Sequence, residues 1–212
     1  MKHAASLLIG LTLVLLITQP PVASAAENLI PNGDLEQVAA AASRVPSPMT
    51  VWNSVQDRPV SEVSLSTEEK TSGENSLHIS RLDEPKGGVT RVSIRGSDLI
   101  PVEPGKRYFF SCQAKCTQAK IAILIKAYNS NKEDFPLGLE DAVTTTQGAT
   151  LGYDGAMVRL QQSEAADPEG FNKVDLTFTV PADAAFLAVE VDYSHNANGK
   201  AWFDDFELLP LE

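Results

Sequence analysis

The sequence predicts an all-β protein built as a β-sandwich or jelly roll. Short segments rich in Val, Ile, Phe, Tyr and Thr alternate apolar with polar residues, which is the period of a half-buried strand. Stretches that contain Gly, Pro, Asp or Asn separate these segments and favour turns. Beyond the N-terminal segment, only the alanine-rich residues 35–43 favour a helical turn or two.

The first 25 residues have the pattern of an export signal. A short basic start precedes an apolar run over 4–17, and the small residues Ala23-Ser24-Ala25 offer a cleavage site. We therefore expect a signal peptide over 1–25 and a single domain over 26–212. The apolar run is too short for a membrane anchor, and no cysteine follows it for lipid attachment. The expected location is secreted or periplasmic, without a membrane span.

Twelve strands are predicted, and they lie near residues 28–34, 49–54, 61–67, 75–82, 88–95, 99–103, 106–115, 121–128, 155–161, 172–180, 185–193 and 201–209. The stretch 129–153 lacks this pattern and is too long for a hairpin loop, so we expect an irregular surface excursion there. The segments 28–36 and 201–208 each alternate apolar with acidic or polar residues. They are expected to lie side by side and close the sandwich.

Net charge and cysteine spacing limit the expected partners and crosslinks of the chain. The formal net charge of −11 at pH 7 is unfavourable for binding nucleic acid, because phosphate contacts need a basic patch, so nucleic acid is not an expected partner. Cys112 and Cys116 lie four residues apart, which is about 13 Å along a strand, whereas a disulfide needs about 7 Å or less between Cα atoms. We expect two thiols, at least one of them buried.

Six short segments of the chain form an ordered series. They are Asn32-Gly33-Asp34-Leu35-Glu36, Trp52, Ser72–Ile79, Val102–Ser111, Phe171–Pro181 and Gly199–Phe206. In this order they resemble the CenC-type carbohydrate-binding modules of families 4, 9 and 22, which have a galactose-binding-domain-like jelly roll. The resemblance implies sugar binding without catalysis, and it implies packing positions for Trp52 and Trp202.

The same resemblance implies a structural calcium ion between the ends of the chain. Carried over by position, its ligands are the Asp34 carbonyl, the Glu36 carboxylate, an oxygen near Ser72, the Asn75 carbonyl and the Asp204 carboxylate. Calcium takes about six to eight such oxygen ligands. The alternative is that Glu36 caps a turn and that Asp204 pairs with a lysine or a backbone N–H. Asp205, the next residue in the strand, is expected on the opposite face.

Alternation sorts the central strands into an inner and an outer face. If the strands at 88–95, 121–128, 155–161 and 185–193 share one sheet, its outer face carries Arg91, Arg95, Lys126, Tyr128, Arg159, Glu190 and Asp192. Charged groups of this kind hydrogen-bond sugar hydroxyls in pairs, and Tyr153 or Tyr193 would add an aromatic ring at the edge. We expect a glycan site here, and the alternative is a solvated sheet without a ligand.

Three functions remain open. The leading one is a secreted, non-catalytic module that binds a polysaccharide in the concave face of the jelly roll, alone or within a larger extracellular assembly. The second is a structural or adhesion domain that binds no sugar. The third is a small glycan-active hydrolase or lyase that uses Glu190 and Asp192. Jelly-roll glycosidases with a similar strand carry a third acid four or five residues after the first. Ser194 and His195 stand at those positions here.

Overall fold

A computed structural model describes residues 26–37, 49–53, 61–81, 88–94, 99–132, 138–152, 156–161, 166–194 and 199–212. The predicted signal peptide, most of the 35–43 segment, Arg95, Tyr153 and His195 lie outside these ranges. Nothing in the described ranges forms a helix with the length and apolarity that crossing a bilayer requires.

The described part of the chain is all-β, which confirms the predicted fold class. Its strands are β1 (Thr50–Asn53), β2 (Ser61–Ser66), β3 (Ser76–Arg81), β4 (Val89–Ser93), β5 (Ile100–Pro101), β6 (Arg107–Thr117), β7 (Lys120–Tyr128), β8 (Glu140–Val143), β9 (Ala149–Gly152), β10 (Met157–Gln161), β11 (Asn172–Thr179), β12 (Phe186–Ser194) and β13 (Lys200–Pro210).

These strands form two antiparallel sheets that pack as a β-sandwich. Sheet A has the order β1-β4-β12-β7-β10-β9, with β5 also paired to β12, and sheet B has the order β2-β3-β13-β6-β11-β8. The inner faces of both sheets contribute to one buried core, with Ile123 and Val191 from sheet A and Phe110, Phe178 and Phe203 from sheet B. Burying one such side chain contributes about 1.5–3 kcal/mol, so the core fixes which face of each strand points outward.

The N-terminal segment lies beside β13, as predicted, but it is not a strand. Backbone hydrogen bonds join Leu29 N to Leu208 O at 2.9 Å and Phe206 N to Gly33 O at 2.8 Å. The segment then turns, because Asn32 and Leu35 adopt positive φ angles of 55° and 62°. The strand predicted for 28–34 is therefore wrong, since apolar alternation there reflects a turn that buries Leu35 in the core.

The expected irregular excursion at 129–153 is also wrong in part, because it contains β8 and β9. Strand β8 is the edge of sheet B next to β11, and β9 is the edge of sheet A next to β10. Both strands are mostly exposed, so they carry little of the apolar alternation from which strands are recognised.

The two cysteines are buried thiols on β6, as predicted. Burial, reinforced by the negative charge of Asp204, raises the pKa of Cys112 well above its ordinary range. Both side chains belong to the apolar core, which is the behaviour of structural rather than reactive cysteines.

Trp202 packs on the outer face of sheet B. Its ring stacks on His78 with centroids 5.2 Å apart, and Lys115 Nζ lies 5.5 Å from the ring centroid. The side chain is 7% exposed, in agreement with the expected packing role. Burial lowers the pKa of His78, the charge of Lys200 lowers it further, and Glu62 opposes both.

Candidate functional site

A row of cross-strand partners runs across the outer face of sheet A. Trp52 on β1 pairs with Arg91 on β4, and Arg91 pairs with Asp192 on β12. The row continues through Ala122 on β7 to Arg159 on β10. The four predicted central strands therefore share one sheet, and their polar alternation faces outward as expected.

The adjoining rows complete this surface. Glu190 pairs with Leu124, and Leu124 pairs with Met157. Lys126 and Tyr128 follow Leu124 at intervals of two residues, which keeps them on the same face. Every predicted glycan-site residue that the structure describes thus lies on this face, while Arg95 falls outside the described residues.

The outer face of sheet A forms a groove of about 940 Å³. Part of its lining is apolar, because Ala122, Leu124 and Met157 form a small buried cluster separate from the main core. Among the described residues, the charged side chains that line it are Arg91, Lys120, Lys126, Arg159 and Asp192. A volume of this size lies within the range of small-molecule sites, about 300–1,000 Å³.

Ion pairs hold the groove side chains in place. The Arg91 guanidinium donates from Nε and Nη2 to the two oxygens of Asp192 at 2.6 and 2.7 Å. Oε2 of Glu190 lies 3.2 Å from Arg91 Nε and 2.7 Å from Lys126 Nζ, so this buried oxygen is ion-paired. The hydrogen bond to Asp192 raises the pKa of Arg91 above its ordinary value, despite the opposing effect of burial.

Trp52 lies on the outer face of sheet A next to Arg91, which lines the groove, rather than in the core. Its side chain is 52% exposed on the edge strand β1, and the Arg91 guanidinium carbon lies 5.7 Å from the ring centroid. The expected packing role is therefore wrong for this residue, because its side chain lies on the outer face of sheet A, which no other described part of the chain packs against at this point. The signal is structural rather than local to the sequence: Trp52 is the register partner of Arg91, and this pairing places it on the outer face.

The remaining aromatic candidates differ in position. Tyr128 is half-buried at the end of β7, where it pairs with Phe186. Tyr193 is completely buried, and its hydroxyl donates to the Gly199 carbonyl at 2.6 Å. The expectation that Tyr193 borders the site is wrong, because it follows Asp192 by one residue and so faces inward. Tyr153 lies outside the described residues.

Glu36 holds one side of the loop that joins β2 to β3. Its Oε1 accepts hydrogen bonds from the backbone N–H groups of Glu74 and Asn75 at 2.9 and 3.0 Å. Its own N–H lies 3.4 Å from Oδ1 of Asp34. Gly73 has a φ of 53°, and a Cβ there would overlap Oε1 of Glu36. These contacts match the alternative in which Glu36 caps a turn instead of binding calcium.

Asp204 holds the other side of the same loop. Its completely buried carboxylate accepts from Thr71 N at 2.8 Å and from Thr71 Oγ1 at 2.9 Å. Ser72 N lies 3.4 Å from the same oxygen. Burial raises the pKa of Asp204, these hydrogen bonds lower it, and the neighbouring charge of Asp205 raises it.

Asp205 points to this loop too, so its expected place on the opposite face is wrong. Between Asp204 and Glu207, β13 carries one residue more than β6 does, and Asp205 adopts a φ of 50°. This bulge turns the Asp205 carboxylate to Thr71 Oγ1 at 2.7 Å and Ser72 Oγ at 2.6 Å. The Thr71 hydroxyl lies near both carboxylates but has one hydrogen to donate.

The oxygen chemistry of this loop fits calcium, which takes hard carboxylate and hydroxyl or carbonyl ligands. Two neighbouring carboxylates that share one hydroxyl hydrogen leave an acceptor that a cation would satisfy. Across the ranges that the structure describes, no group of three or more His, Cys, Asp or Glu side chains converges on one point. The calcium ligand set therefore stays a prediction.

No protein-family model matches this sequence, and no curated protein matches it. Solved structures do match the fold. One is the enzymatically active domain of tailspike protein 4 from bacteriophage CBA120, with a TM-score of 0.58 and 15% identity over 87% of this chain. The match spans only 21% of the tailspike chain.

Two carbohydrate-binding modules are also similar. TmCBM61 in complex with β-1,4-galactotriose has a TM-score of 0.55 and 15% identity, covering 88% of this chain and all of the module. A carbohydrate-binding module of the β-sandwich superfamily has a TM-score of 0.50 and 13% identity, covering 87% of this chain and 61% of that one. The chain thus has the β-sandwich fold that carbohydrate-binding modules use.

Proposed function

We propose that this protein is a secreted carbohydrate-binding module that holds a polysaccharide in the groove on the outer face of sheet A. The observation that carries the proposal is the row formed by Trp52, Arg91 and Asp192, which places an exposed ring beside paired charges in a groove. The fold supports the proposal, because the same sandwich serves the similar carbohydrate-binding modules.

Each part of the groove has a role suited to a sugar. The exposed ring of Trp52 offers a flat apolar surface to the C–H face of a pyranose. The carboxylates of Glu190 and Asp192 accept hydrogen bonds from sugar hydroxyls, while Arg91 and Lys126 donate them. Because these four side chains already pair with one another, little side-chain entropy is lost when a glycan binds.

The proposed role is binding rather than cleavage. A retaining glycosidase needs one protonated and one charged carboxyl group about 5–5.5 Å apart across the scissile bond. Both oxygens of Asp192 accept hydrogen bonds from Arg91, and Glu190 Oε2 contacts two cations. These contacts hold both side chains in fixed positions, which suits groups that orient sugar hydroxyls.

We also propose that a calcium ion, when present, stabilises the fold at the loop over 71–75. The expected ligands are the Asp34 carbonyl, the carboxylates of Glu36 and Asp204, and oxygens of Ser72 and Asn75. The bulge adds the Asp205 carboxylate to them. The ion would neutralise the adjacent carboxylates of β13 and so tie the loop to that strand.

The test is affinity electrophoresis or a glycan array over soluble polysaccharides, followed by calorimetry on any glycan that binds. Trp52→Ala is expected to weaken binding about tenfold or more, as loss of an exposed aromatic anchor does. Tyr128→Ala and Glu190→Ala are expected to weaken it as well. Val143→Ala is the matched control, because Val143 is 53% exposed but lies on β8 of sheet B.

Two outcomes would contradict the proposal. If no polysaccharide binds, the chain is better described as a structural or adhesion sandwich. If Trp52→Ala and Val143→Ala behave alike, a glycan that binds does so elsewhere. Release of reducing ends, or of unsaturated products, from a bound glycan would instead support the enzyme alternative.

A further inference from the structure

Three consecutive threonines lie where the chain passes from one sheet to the other beside the groove. Strand β8 is at the edge of sheet B, and β9 is at the edge of sheet A. Residues 144–148 connect these two strands and begin with Thr144-Thr145-Thr146. The connection leads directly into the groove, because Gly148 and Thr150 are among the residues that line it. It therefore determines how one wall of the groove is attached to the sandwich.

One carboxylate of sheet B holds this connection. Oδ1 of Asp175, on β11, accepts hydrogen bonds from Thr144 Oγ1 at 3.1 Å and from Thr145 N at 2.6 Å. Its Oδ2 accepts a further hydrogen bond from Thr145 Oγ1. The N–H of Asp175 donates to Thr146 Oγ1 at 2.8 Å. A single residue thus engages all three threonine hydroxyls, and hydrogen bonds to an ionised acceptor are about twice as strong as neutral ones.

The same hydrogen bonds determine where β9 begins. The Thr146 carbonyl accepts from the N–H of Ala149, the first residue of β9, at 3.2 Å. Thr146 is fixed in turn, because its N–H donates to Thr144 Oγ1 at 3.2 Å. Strand β9 has no buried residue and, among the described strands, pairs with β10 alone. Little apolar burial is available to fix this strand, so its position depends strongly on hydrogen bonds.

We propose that Asp175 is a positioning residue for the groove, because it holds the connection that sets the wall formed by Gly148 and Thr150. The inference rests on the proposed function of the same groove. Asp175 lies on sheet B, whereas the groove is on sheet A, so it acts through residues 144–148 rather than by contact with the glycan. A wall that is ordered in advance favours binding, since the ligand does not have to order it.

Hydrogen exchange without any glycan tests whether Asp175 holds β9. In Asp175→Ala, the amide of Ala149 is expected to exchange about tenfold faster or more, because the closed turn loses several hydrogen bonds to a charged group. The amide of Phe206, which donates to the Gly33 carbonyl at 2.8 Å, should keep its rate. Asp175→Asn retains an acceptor for the Thr145 N–H, so it should accelerate exchange at Ala149 less.

Calorimetry on a glycan whose binding requires Trp52 tests the effect on the groove. At a temperature where the variant is fully folded, Asp175→Ala is expected to weaken binding about 2- to 10-fold, because the ligand must then order the wall. Asp175→Asn should retain most of the affinity, whereas an effect of the lost charge alone would make the two variants alike. Asp167→Ala is the matched control, since it removes the same charge from another turn. There Asp167 Oδ1 accepts from Glu169 N and Gly170 N at 3.0 and 2.9 Å, and the turn contributes no described residue to the groove lining.

The outcomes separate this proposal from that of a carbohydrate-binding module. An unchanged exchange rate at Ala149, or an equal rise at Phe206, overturns the role of Asp175 in placing β9. Faster exchange at Ala149 with unchanged affinity overturns the role of the wall in binding and leaves the module proposal standing. Equal losses of affinity in Asp175→Ala and Asp167→Ala overturn the assignment to residues 144–148. If the wild type binds no glycan on an array, the module proposal fails, and the binding role of Asp175 fails with it.

Discussion

The ion pair between Arg91 and Asp192 is the contact on which the groove most depends. Arg91→Met keeps the long apolar stem of the side chain and removes its N–H donors. Asp192→Asn keeps the shape of the acid and removes its charge. Together with the double variant, these changes form a cycle that isolates the energy of the pair from the effects of each single substitution.

The structure sets the expected magnitude. The pair makes two hydrogen bonds of 2.6 and 2.7 Å, and its side chains are 28% and 14% exposed. Exposed ion pairs contribute about 0.2–1 kcal/mol, whereas breaking a buried pair costs about 3–5 kcal/mol. A half-buried bidentate pair should lie between these values, at about 2 kcal/mol of coupling. That corresponds to about 4–8 °C in melting temperature for a domain of this size.

Urea unfolding at neutral pH measures the four free energies of unfolding. A second cycle on Lys106 and Glu103 provides the control, because that pair has an N–O distance of 3.1 Å but a Glu103 side chain that is 74% exposed. Its coupling is expected below about 0.5 kcal/mol. If the coupling energy between Arg91 and Asp192 is no larger than that of the surface pair, the inference that ion pairs preorganise the groove is refuted.

Three further predictions concern the loop over 71–75 and sheet B. Gly73→Ala should destabilise the fold by about 2–4 kcal/mol, because an added methyl group displaces the Glu36 carboxylate from its hydrogen bonds. Gly105→Ala is the control, because Gly105 has a φ of 72° and no neighbour within 4 Å, so it should cost only about 1–2 kcal/mol of backbone strain. Equal losses of stability in thermal unfolding would contradict a stabilising role for the contact of Glu36 with this loop. If calcium binds, a chelator should lower the melting temperature of the wild type but not of Asp204→Asn, and it should leave glycan affinity at low temperature unchanged; a wild-type midpoint that does not move argues against the ion. Burial lowers the pKa of His78, so below about pH 6.5 the unfolded chain binds more protons than the folded one and stability falls as pH drops. His78→Gln should flatten this slope in melting curves taken across the range, and a slope that persists would assign it to another group.

Sequence patterning worked best where a strand is long and buried on one side. Strand β7 places Ile121, Ile123 and Ile125 in the core, so every second residue faces outward and the groove face follows from the sequence alone. The same reasoning placed Glu190 and Asp192 on that face. In such strands a slip of one residue would expose the whole apolar set, so the pattern determines the register.

The pattern failed where a neighbouring strand, rather than the local sequence, decides the conformation. The bulge at Asp205 lets β13 keep its pairing with β6 on both sides of it. No residue type at this position predicts a bulge from the sequence. Trp52 was misplaced because an apolar residue gives the same signal in the sequence whether or not another layer covers its face of the sheet. Leu35 reached the core through a turn with positive φ, which alternation alone cannot distinguish from a strand.

The two candidate sites occupy different sheets, and this separates their roles. The groove is built on sheet A from β4, β12, β7, β10 and β9, with Trp52 of β1 beside it, whereas the carboxylates of Asp204 and Asp205 lie on β13 of sheet B. Between the sheets lies an apolar core that carries no polar chain of contacts from Asp204 to Arg91 among the described residues. An ion at the loop would therefore act on the groove through the stability of the whole sandwich. Below the melting transition we therefore expect the groove to keep its shape whether or not an ion is bound, so removal of the ion should change stability and leave affinity intact.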